Sequence, residues 1–285
     1  MPETPLTLAQ IQSCVEALPA LPQAVREVMQ ALERDDISVD RCVHLIEQDP
    51  ALAARTLRVA NSAFYGMPGR VARIGDAVTL LGLRAVSGVL LAVSLGSRLD
   101  TSRCIGFSYR SAWRHGMATA LAARLLAPRL ALDADEAFVA GLLHDIGKLV
   151  LAAHFPQAGA QALALARSAD VPDLQAEQAA LGLDHARIGA ELATHWRFPP
   201  AVSRAVLHHH APADSADDMV CRLAGLIQLA DALAHALDLA DDPDEAVPTL
   251  DPALWQALSL PEDEALALLA QVERGVEETC RALAV

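Results

Sequence analysis

The chain has 285 residues, of which 53% are hydrophobic, and its formal net charge is −14. That length and apolar fraction are enough to bury one large core or two joined cores. The acidic balance argues against binding to a nucleic-acid backbone, which needs clustered Lys and Arg. Its five dispersed cysteines form no C-x-x-C pair, which argues against a disulfide framework or a structural zinc site and suits a reducing cytoplasm.

The composition predicts an all-α protein. Aromatic residues make up only 4% of the chain, and Ala, Leu and Val supply the apolar surface. Ala and Leu are strong helix formers, and no alternating strand pattern recurs. The most apolar window, 78–96, is interrupted by Gly82 and Arg84. Because a membrane span needs about 20 unbroken apolar residues, this window predicts two buried helices and a protein without a membrane segment.

In the N-terminal half, proline and cap residues predict where helices begin and end. Two Leu-Pro steps predict an extended connector from Leu18 to Pro22, with Pro22 opening the next helix. Ser38 is a plausible N-cap. Asp49 followed by Pro50 is a stronger start signal, since a carboxylate can accept the first free amide protons.

Further stop signals follow. The stretch 61–66 should end the helix that starts at Pro50, and Gly82 should break the next one. After Phe107 the chain changes in character, because chemically active side chains begin to recur. We therefore predict an N-terminal helical half over 1–107.

In the second half of the sequence, we predict a helical core over 108–240 and a C-terminal part over 241–285. Asp133 should cap a helix that runs through GLLHDIGKL, and Asp184 should cap another. The acidic, proline-containing stretch 238–252 should be a loop. A final helix should start at about Glu262 and either pack back on the core or extend as an exposed tail.

One set of residues in this half carries the chemistry. Each member or adjacent pair lies in its own predicted helix, roughly 20 to 40 residues from the next, a spacing typical of bundle helices. Imidazole nitrogens and carboxylate oxygens bind iron, manganese or zinc. The set comprises His115, His144, Asp145, His185, His209, His210 and Asp231.

Within this set, Asp145 is the residue placed to bridge two metal ions. Lys148 lies three residues after Asp145 and four after His144, so it should share their helix face. A cation there suits a phosphate bound over the metals. Each element alone is weak evidence, because a lone histidine in an apolar helix is more often an ordinary core or surface residue. That interpretation is assigned to His44, His154, His195 and His235.

The ordered pattern H…HD…H…HH…D resembles the HD superfamily of metal-dependent phosphohydrolases, with GLLHDIGKL as its most specific string. In the N-terminal half, ALPALP, IEQDPALAARTLRVANSAFYG and AVTLLG resemble the HDOD family, the "HD-related output domain" of bacterial signalling proteins. The resemblance covers roughly Ala17 to His235. It implies an all-α fold in two parts, an N-terminal helical subdomain packed on an HD-like core, and a regulatory role.

Carried over residue by residue, the resemblance implies that the metal-ligand set is complete, although many family members have lost part of it. The first ligand corresponds to His115, the central pair to His144–Asp145, the third ligand to His185, the next pair to His209 and His210, and the closing aspartate to Asp231. The chain departs from the related HD-GYP cyclic di-GMP phosphodiesterases. It lacks their Asp-Gly-x-Gly-Tyr-Pro segment, and Ser111 stands where trinuclear members carry a carboxylate. A mononuclear or binuclear site is therefore expected.

Three functions remain open at this stage. The favoured hypothesis is a non-catalytic signalling module of HDOD type with a retained metal site that binds iron, manganese or zinc. The second is a metal-dependent phosphohydrolase, a phosphodiesterase or nucleotide phosphatase, in which Asp145 and Lys148 would be catalytic. The third is a sensor that binds a nucleotide or cyclic dinucleotide without turnover. The expected partners are proteins of a signalling pathway, and a homodimer is open as well.

Overall fold

Helices are the regular elements of this chain, as a computed structural model shows. The structure describes residues 5–18, 25, 27, 39–61, 71–83, 85–88, 90, 99–242, 248, 250 and 252–283, and no strand occurs among them. The all-α prediction is thereby confirmed. In chain order the helices are α1 (Leu8–Glu16), α2 (Val39–Glu47), α3 (Pro50–Ala60), α4 (Ile74–Leu81), α5 (Tyr109–Leu126), α6 (Ala134–Leu143), α7 (Ile146–His154), α8 (Pro156–Ala169), α9 (Asp173–Leu181), α10 (His185–His195), α11 (Pro200–His208), α12 (Asp218–Ala236), α13 (Pro252–Ala257) and α14 (Glu262–Leu283). Short 3-10 turns at Ala127–Leu130 and Pro212–Asp214 follow α5 and α11.

The predicted aspartate caps are present. The Asp49 carboxylate accepts from the Leu52 amide at 3.2 Å, that of Asp133 accepts from the Glu136 amide at 2.7 Å, and that of Asp184 accepts from the Arg187 amide at 2.9 Å. Each bond satisfies an amide that has no partner within the first turn of its helix. These three helix starts follow from local chemistry alone.

Several other boundary predictions can be compared with the structure. Helix α3 ends at Ala60, just before the predicted stop at 61–66, of which only Asn61 is described. Gly82 ends α4 with a φ of 82°, a left-handed conformation that glycine adopts without strain. The Pro22 helix start, the Ser38 cap and most of the Leu18–Pro22 connector lie outside the described residues.

Helix α5 forms the centre of the fold. Its residues are buried without interruption from Trp113 to Ala123, so neighbouring helices surround it on every side. Helices α6, α12 and α14 pack directly against it. Close approach is possible because small residues face each other: a Cβ added to Gly141 of α6 would lie 2.9 Å from the Ala120 Cα of α5. His115 is therefore fixed deep inside the bundle.

The C-terminal helix α14 packs back on the core. Val272, Val276 and Cys280 are buried, and the side chain of Arg114 on α5 pairs with Glu277 at 2.6 Å. The Arg114 guanidinium also donates to the Leu239 carbonyl oxygen at 3.1 Å. The exposed-tail alternative is thus excluded. One apolar core joins buried residues from the first helix to the last, and the boundaries at 107 and 240 stay a prediction.

The helix predicted to run through GLLHDIGKL is interrupted. Helix α6 ends at Leu143, α7 begins at Ile146, and His144 and Asp145 form a turn between them. The prediction of one continuous helix is therefore wrong at these two residues. The interruption has a packing reason, since α7 lies against the start of α10 so closely that a Cβ on Gly147 would lie 2.0 Å from the His185 carbonyl oxygen.

Two stretches of the described chain are long and apolar enough to cross a membrane, namely Ala134–His154 and Asp218–Ala236. Their most apolar windows are 72% and 67% buried within the protein. Both contribute to the core around α5, so their apolar character is accounted for by packing inside the bundle.

Candidate metal centre

The structure brings all seven predicted site residues together. His115 lies on α5, His144 and Asp145 lie in the turn between α6 and α7, and His185 opens α10. His209 and His210 follow α11, and Asp231 lies on α12. Their ligand atoms, together with one of His235, form three groups within each of which the atoms lie no more than 4.8 Å apart. The groups are Asp145, His185, His209 and His210; His115, His144 and Asp145; and His115, Asp231 and His235.

Asp145 stands between two positions. Its Oδ1 lies 3.1 Å from His185 Nε2 and 3.8 Å from His209 Nε2, whereas its Oδ2 lies 3.6 Å from His144 Nε2 and 3.9 Å from His115 Nε2. Each oxygen therefore faces a different set of imidazoles. This arrangement agrees with the bridging role predicted for Asp145. We call the His115–His144–Asp145–Asp231 side the first position and the Asp145–His185–His209–His210 side the second position.

Three of the imidazoles are oriented by hydrogen bonds on their outer nitrogen. His144 Nδ1 donates to the Gly141 carbonyl oxygen at 2.7 Å, and His209 Nδ1 donates to the Val206 carbonyl oxygen at 2.6 Å. His185 Nδ1 pairs with Glu177 Oε2 at 2.7 Å. Because Nδ1 is occupied, Nε2 of each ring points to the centre, which is the usual orientation of a metal-binding histidine.

The distances between facing nitrogens test whether a metal ion fits. His115 Nε2 and His144 Nε2 lie 3.2 Å apart, and His185 Nε2 and His210 Nε2 lie 2.8 Å apart. Two nitrogens bound to one ion at about 2.1 Å, with a right or tetrahedral angle between them, lie about 3.0–3.4 Å apart. The His115–His144 distance lies within this range, and the His185–His210 distance is slightly shorter, as expected for a hydrogen bond in the metal-free protein. Buried His209 Nε2 has no hydrogen-bond partner among the described residues. A divalent ion would satisfy that nitrogen, and the surrounding imidazoles and carboxylates are ligands that iron, manganese and zinc accept, so the residues fit a metal.

Lys148 contacts the centre through Asp145. Its ammonium group lies 2.9 Å from Asp145 Oδ2 and 3.0 Å from Asp173 Oδ2. Burial favours the neutral form of Asp145, but Lys148, His144 and His185 outweigh it and hold the pKa of that carboxyl well below its usual range. Burial likewise opposes the charge of Lys148, yet Asp145 and Asp173 raise its pKa. Both groups are therefore charged at neutral pH.

The second position contains histidines with opposite pKa shifts. Burial disfavours the charged form of His185, but Glu177 and Asp145 outweigh it and raise its pKa to about 10. Burial and the neighbouring His185 lower the pKa of His210 to about 4, and burial is also the main reason that the pKa of His209 is lowered. His209 and His210 are thus neutral at pH 7, whereas His185 would have to release a proton if a metal bound to it.

Three residues of the centre were not predicted from the sequence. His235 was interpreted as an ordinary core or surface histidine, and the structure places its Nε2 3.1 Å from Asp231 Oδ1. Its spacing of four residues from Asp231 was the signal that could have identified it. Glu177 and Asp173 act through His185 and Lys148, and no motif marks either carboxylate. His44, His154 and His195 are exposed, in agreement with their interpretation.

The fold and the cluster define an all-α protein with an HD-type arrangement of histidines and aspartates. The model of the HDOD domain family matches residues 18–212. The chain therefore belongs to the HDOD family. That match confirms the resemblance carried by ALPALP and the His-Asp pattern.

The chain is also similar to other proteins and to solved structures. The chain is 30% identical over 214 residues, 74% of its length, to an uncharacterised protein of Treponema pallidum, of which it spans only 41%. It is 32% identical over 123 residues to ribonuclease Y of Bacillus subtilis, covering 43% of this chain and 18% of the ribonuclease. A candidate phosphohydrolase of Shewanella amazonensis has a TM-score of 0.70 at 27% identity, with 96% and 97% of the two chains covered. A candidate signal transduction protein of Marinobacter aquaeolei has a TM-score of 0.76 at 25% identity, with 97% of this chain and 65% of that protein covered.

Proposed function

We propose that this chain is a regulatory module whose helices are joined by a divalent metal centre of iron, manganese or zinc, with one or two ions. The observation that carries this proposal is the origin of the ligands: they come from α5, the α6–α7 turn, α10, the end of α11 and α12. A metal bound there would link five parts of the bundle. Its occupancy would thus control how firmly these helices are held together.

The charge around Lys148 favours regulation over catalysis. Its ammonium group is already neutralised by the carboxylates of Asp145 and Asp173. A lysine that stabilises the developing charge of a phosphate must direct its own charge toward the substrate. Here Lys148 would first have to leave Asp173. The pairing therefore argues against a role for Lys148 in stabilising a substrate phosphate.

Metal analysis of protein purified without chelator tests the proposal. We expect iron, manganese or zinc at one or two ions per chain, and we expect chelation to lower the melting temperature, because a ligand bound only by the folded state stabilises it. The matched variant is Asp145→Ala, which should lose the metal. Absence of bound metal after incubation with each of the three ions would refute the proposal.

A metal-dependent phosphohydrolase is the second candidate, favoured by the complete ligand set and by the similarity to the candidate phosphohydrolase of Shewanella amazonensis. Paired ions lower the pKa of a bound water and polarise a phosphoryl oxygen. Asp145 would then hold both ions, and Lys148 would exchange Asp173 for a phosphate oxygen. Hydrolysis of cyclic dinucleotides or simple phosphate esters by the metal-loaded protein, abolished in Asp145→Ala, would establish this function in place of the regulatory one.

Further parts of the proposal concern ligands and partners. A nucleotide sensor without turnover would bind a nucleotide or cyclic dinucleotide at the same centre, and equilibrium binding without product formation would reveal it. The regulatory role implies protein partners of a signalling pathway in the cytoplasm, with a homodimer as one form of assembly. Sedimentation of the purified chain over a range of concentrations tests that last point.

A further inference from the structure

His235 is in direct contact with the centre although no part of the HD pattern includes it. Its Nε2 lies 3.1 Å from Asp231 Oδ1, and its ring centroid lies 4.4 Å from that of His115. His115 Nε2 approaches the same Asp231 oxygen at 2.9 Å. The ligand atoms of these three residues all lie within 4.8 Å of one another. Two imidazoles thus converge on a single carboxylate oxygen at the first position.

The local structure of α12 explains this convergence. Asp231 and His235 are four residues apart, and residues at this spacing lie on the same face of a helix. Both lie in the part of α12 that packs against α5, where His115 is buried. The His235 side chain is 16% exposed, so most of it lies within the bundle. A helical carboxylate and imidazole at this spacing present two ligand atoms to one ion, as two histidines do in the H-E-x-x-H motif.

We propose that His235 is an additional ligand of the first metal position; this inference rests on the metal centre proposed above. The first position would then draw on five side chains, namely His115, His144, Asp145, Asp231 and His235. The second position has four, namely Asp145, His185, His209 and His210. A position that already has more protein ligands keeps less room for water or an anion. We therefore expect an exchangeable ligand to bind at the second position rather than at the first.

The competing explanation is that His235 only donates a hydrogen bond to Asp231 and positions it. His235→Gln distinguishes a ligand from a hydrogen-bond donor, because a glutamine amide can still donate a hydrogen bond but is a poor metal ligand. His235→Ala removes both functions. His195→Ala is the matched control, since His195 is an exposed histidine at the end of α10. His209→Ala removes a ligand from the second position only.

Cobalt(II) titration of the metal-free protein, with chelator competition, measures the metal affinity of each position. Its visible absorption reports the ligand number and gives a readout other than activity. We expect the cobalt affinity of the first position to fall by about 100-fold or more in both His235 variants. The loss of a residue that only orients a ligand typically lowers metal affinity by about 10–100-fold. His195→Ala should match the wild type, and His209→Ala should lose the other site. Circular dichroism and the cobalt spectrum of the second position would show that the variants are folded.

Wild-type affinity and spectrum in His235→Gln would overturn the ligand role, and the same result in His235→Ala would exclude any role in binding. In either case the wild type would still hold its metal, so the proposed function would stand. If the wild type bound no metal, the proposed function and this inference would fail together.

Discussion

Gly147→Ala is the sharpest test of how the fold positions the centre. The added Cβ would lie 2.0 Å from the His185 carbonyl oxygen and 2.9 Å from the Gly189 nitrogen. Carbon–oxygen contacts are normally about 3.3 Å or longer, so α7 and α10 must separate by about 1.3 Å. Overpacking of this kind costs about 1–3 kcal/mol of unfolding free energy.

The same displacement should damage metal binding. His185 Nε2 lies on α10, and Asp145 Oδ1, now 3.1 Å away, lies in the turn that leads directly into α7. Ligand distances in a metal site tolerate about ±0.2 Å, so we expect the second position to lose its ion. In metal excess, at about 1,000 times the dissociation constant, the variant would then lose about 4 kcal/mol of ligand-derived stability as well.

Urea denaturation with and without chelator, together with metal content, measures both effects. Gly75→Ala is the control, because the nearest atom to its added Cβ is Val43 Cγ2 at 3.9 Å. That change removes backbone freedom from the unfolded chain and should stabilise the protein by about 0.5–1 kcal/mol. If Gly147→Ala kept the wild-type midpoint and its full metal content, the argument that this glycine sets the spacing between α7 and α10 would be wrong.

Three more predictions concern the groups around the centre. Glu177→Gln should weaken metal binding at the second position by about 10–100-fold, because one oxygen of this carboxylate accepts from both His185 Nδ1 and the His185 amide at 2.7 Å. An unchanged affinity in isothermal titration would contradict this expectation. The metal-free protein holds the pKa of His185 at about 10, so metal binding should displace one proton from this residue. The metal affinity should therefore rise about tenfold per pH unit over about pH 6.5 to 8.5. A flat pH profile would show that His185 is already neutral. Lys148→Met should raise the metal affinity about tenfold or more, because it removes a cation that lies 2.9 Å from Asp145 Oδ2 and repels a metal ion. A fall in affinity would show that Lys148 is needed to order the site.

Local chemistry was sufficient to predict several features of this fold. The caps at Asp49, Asp133 and Asp184 follow from the affinity of a carboxylate for free amides, and this requires no knowledge of neighbouring helices. The metal-ligand set followed from its order and spacing together with the family resemblance. The structure confirms that those residues are adjacent; their role as ligands stays a prediction.

The residues that were missed depend on tertiary contacts. Glu177 lies on α9 and acts only because its carboxylate reaches His185 on α10. The break at His144 and Asp145 arises where α7 meets α10, and helical periodicity alone gives no sign of it. His235 was missed for another reason. The family pattern ends at Asp231, and a single histidine four residues further along an apolar helix is more often an ordinary core or surface residue.

The string GLLHDIGKL can now be explained in terms of packing. Gly141 lets α6 approach α5, which carries His115, and Gly147 lets α7 approach the start of α10, which carries His185. The His144–Asp145 turn lies between these two contacts. In this chain both close contacts require glycine, so the string sets the geometry of the centre. The contact that separates metal holding from phosphate chemistry is the one between Lys148 and Asp173, because a phosphohydrolase would have to release that lysine to its substrate.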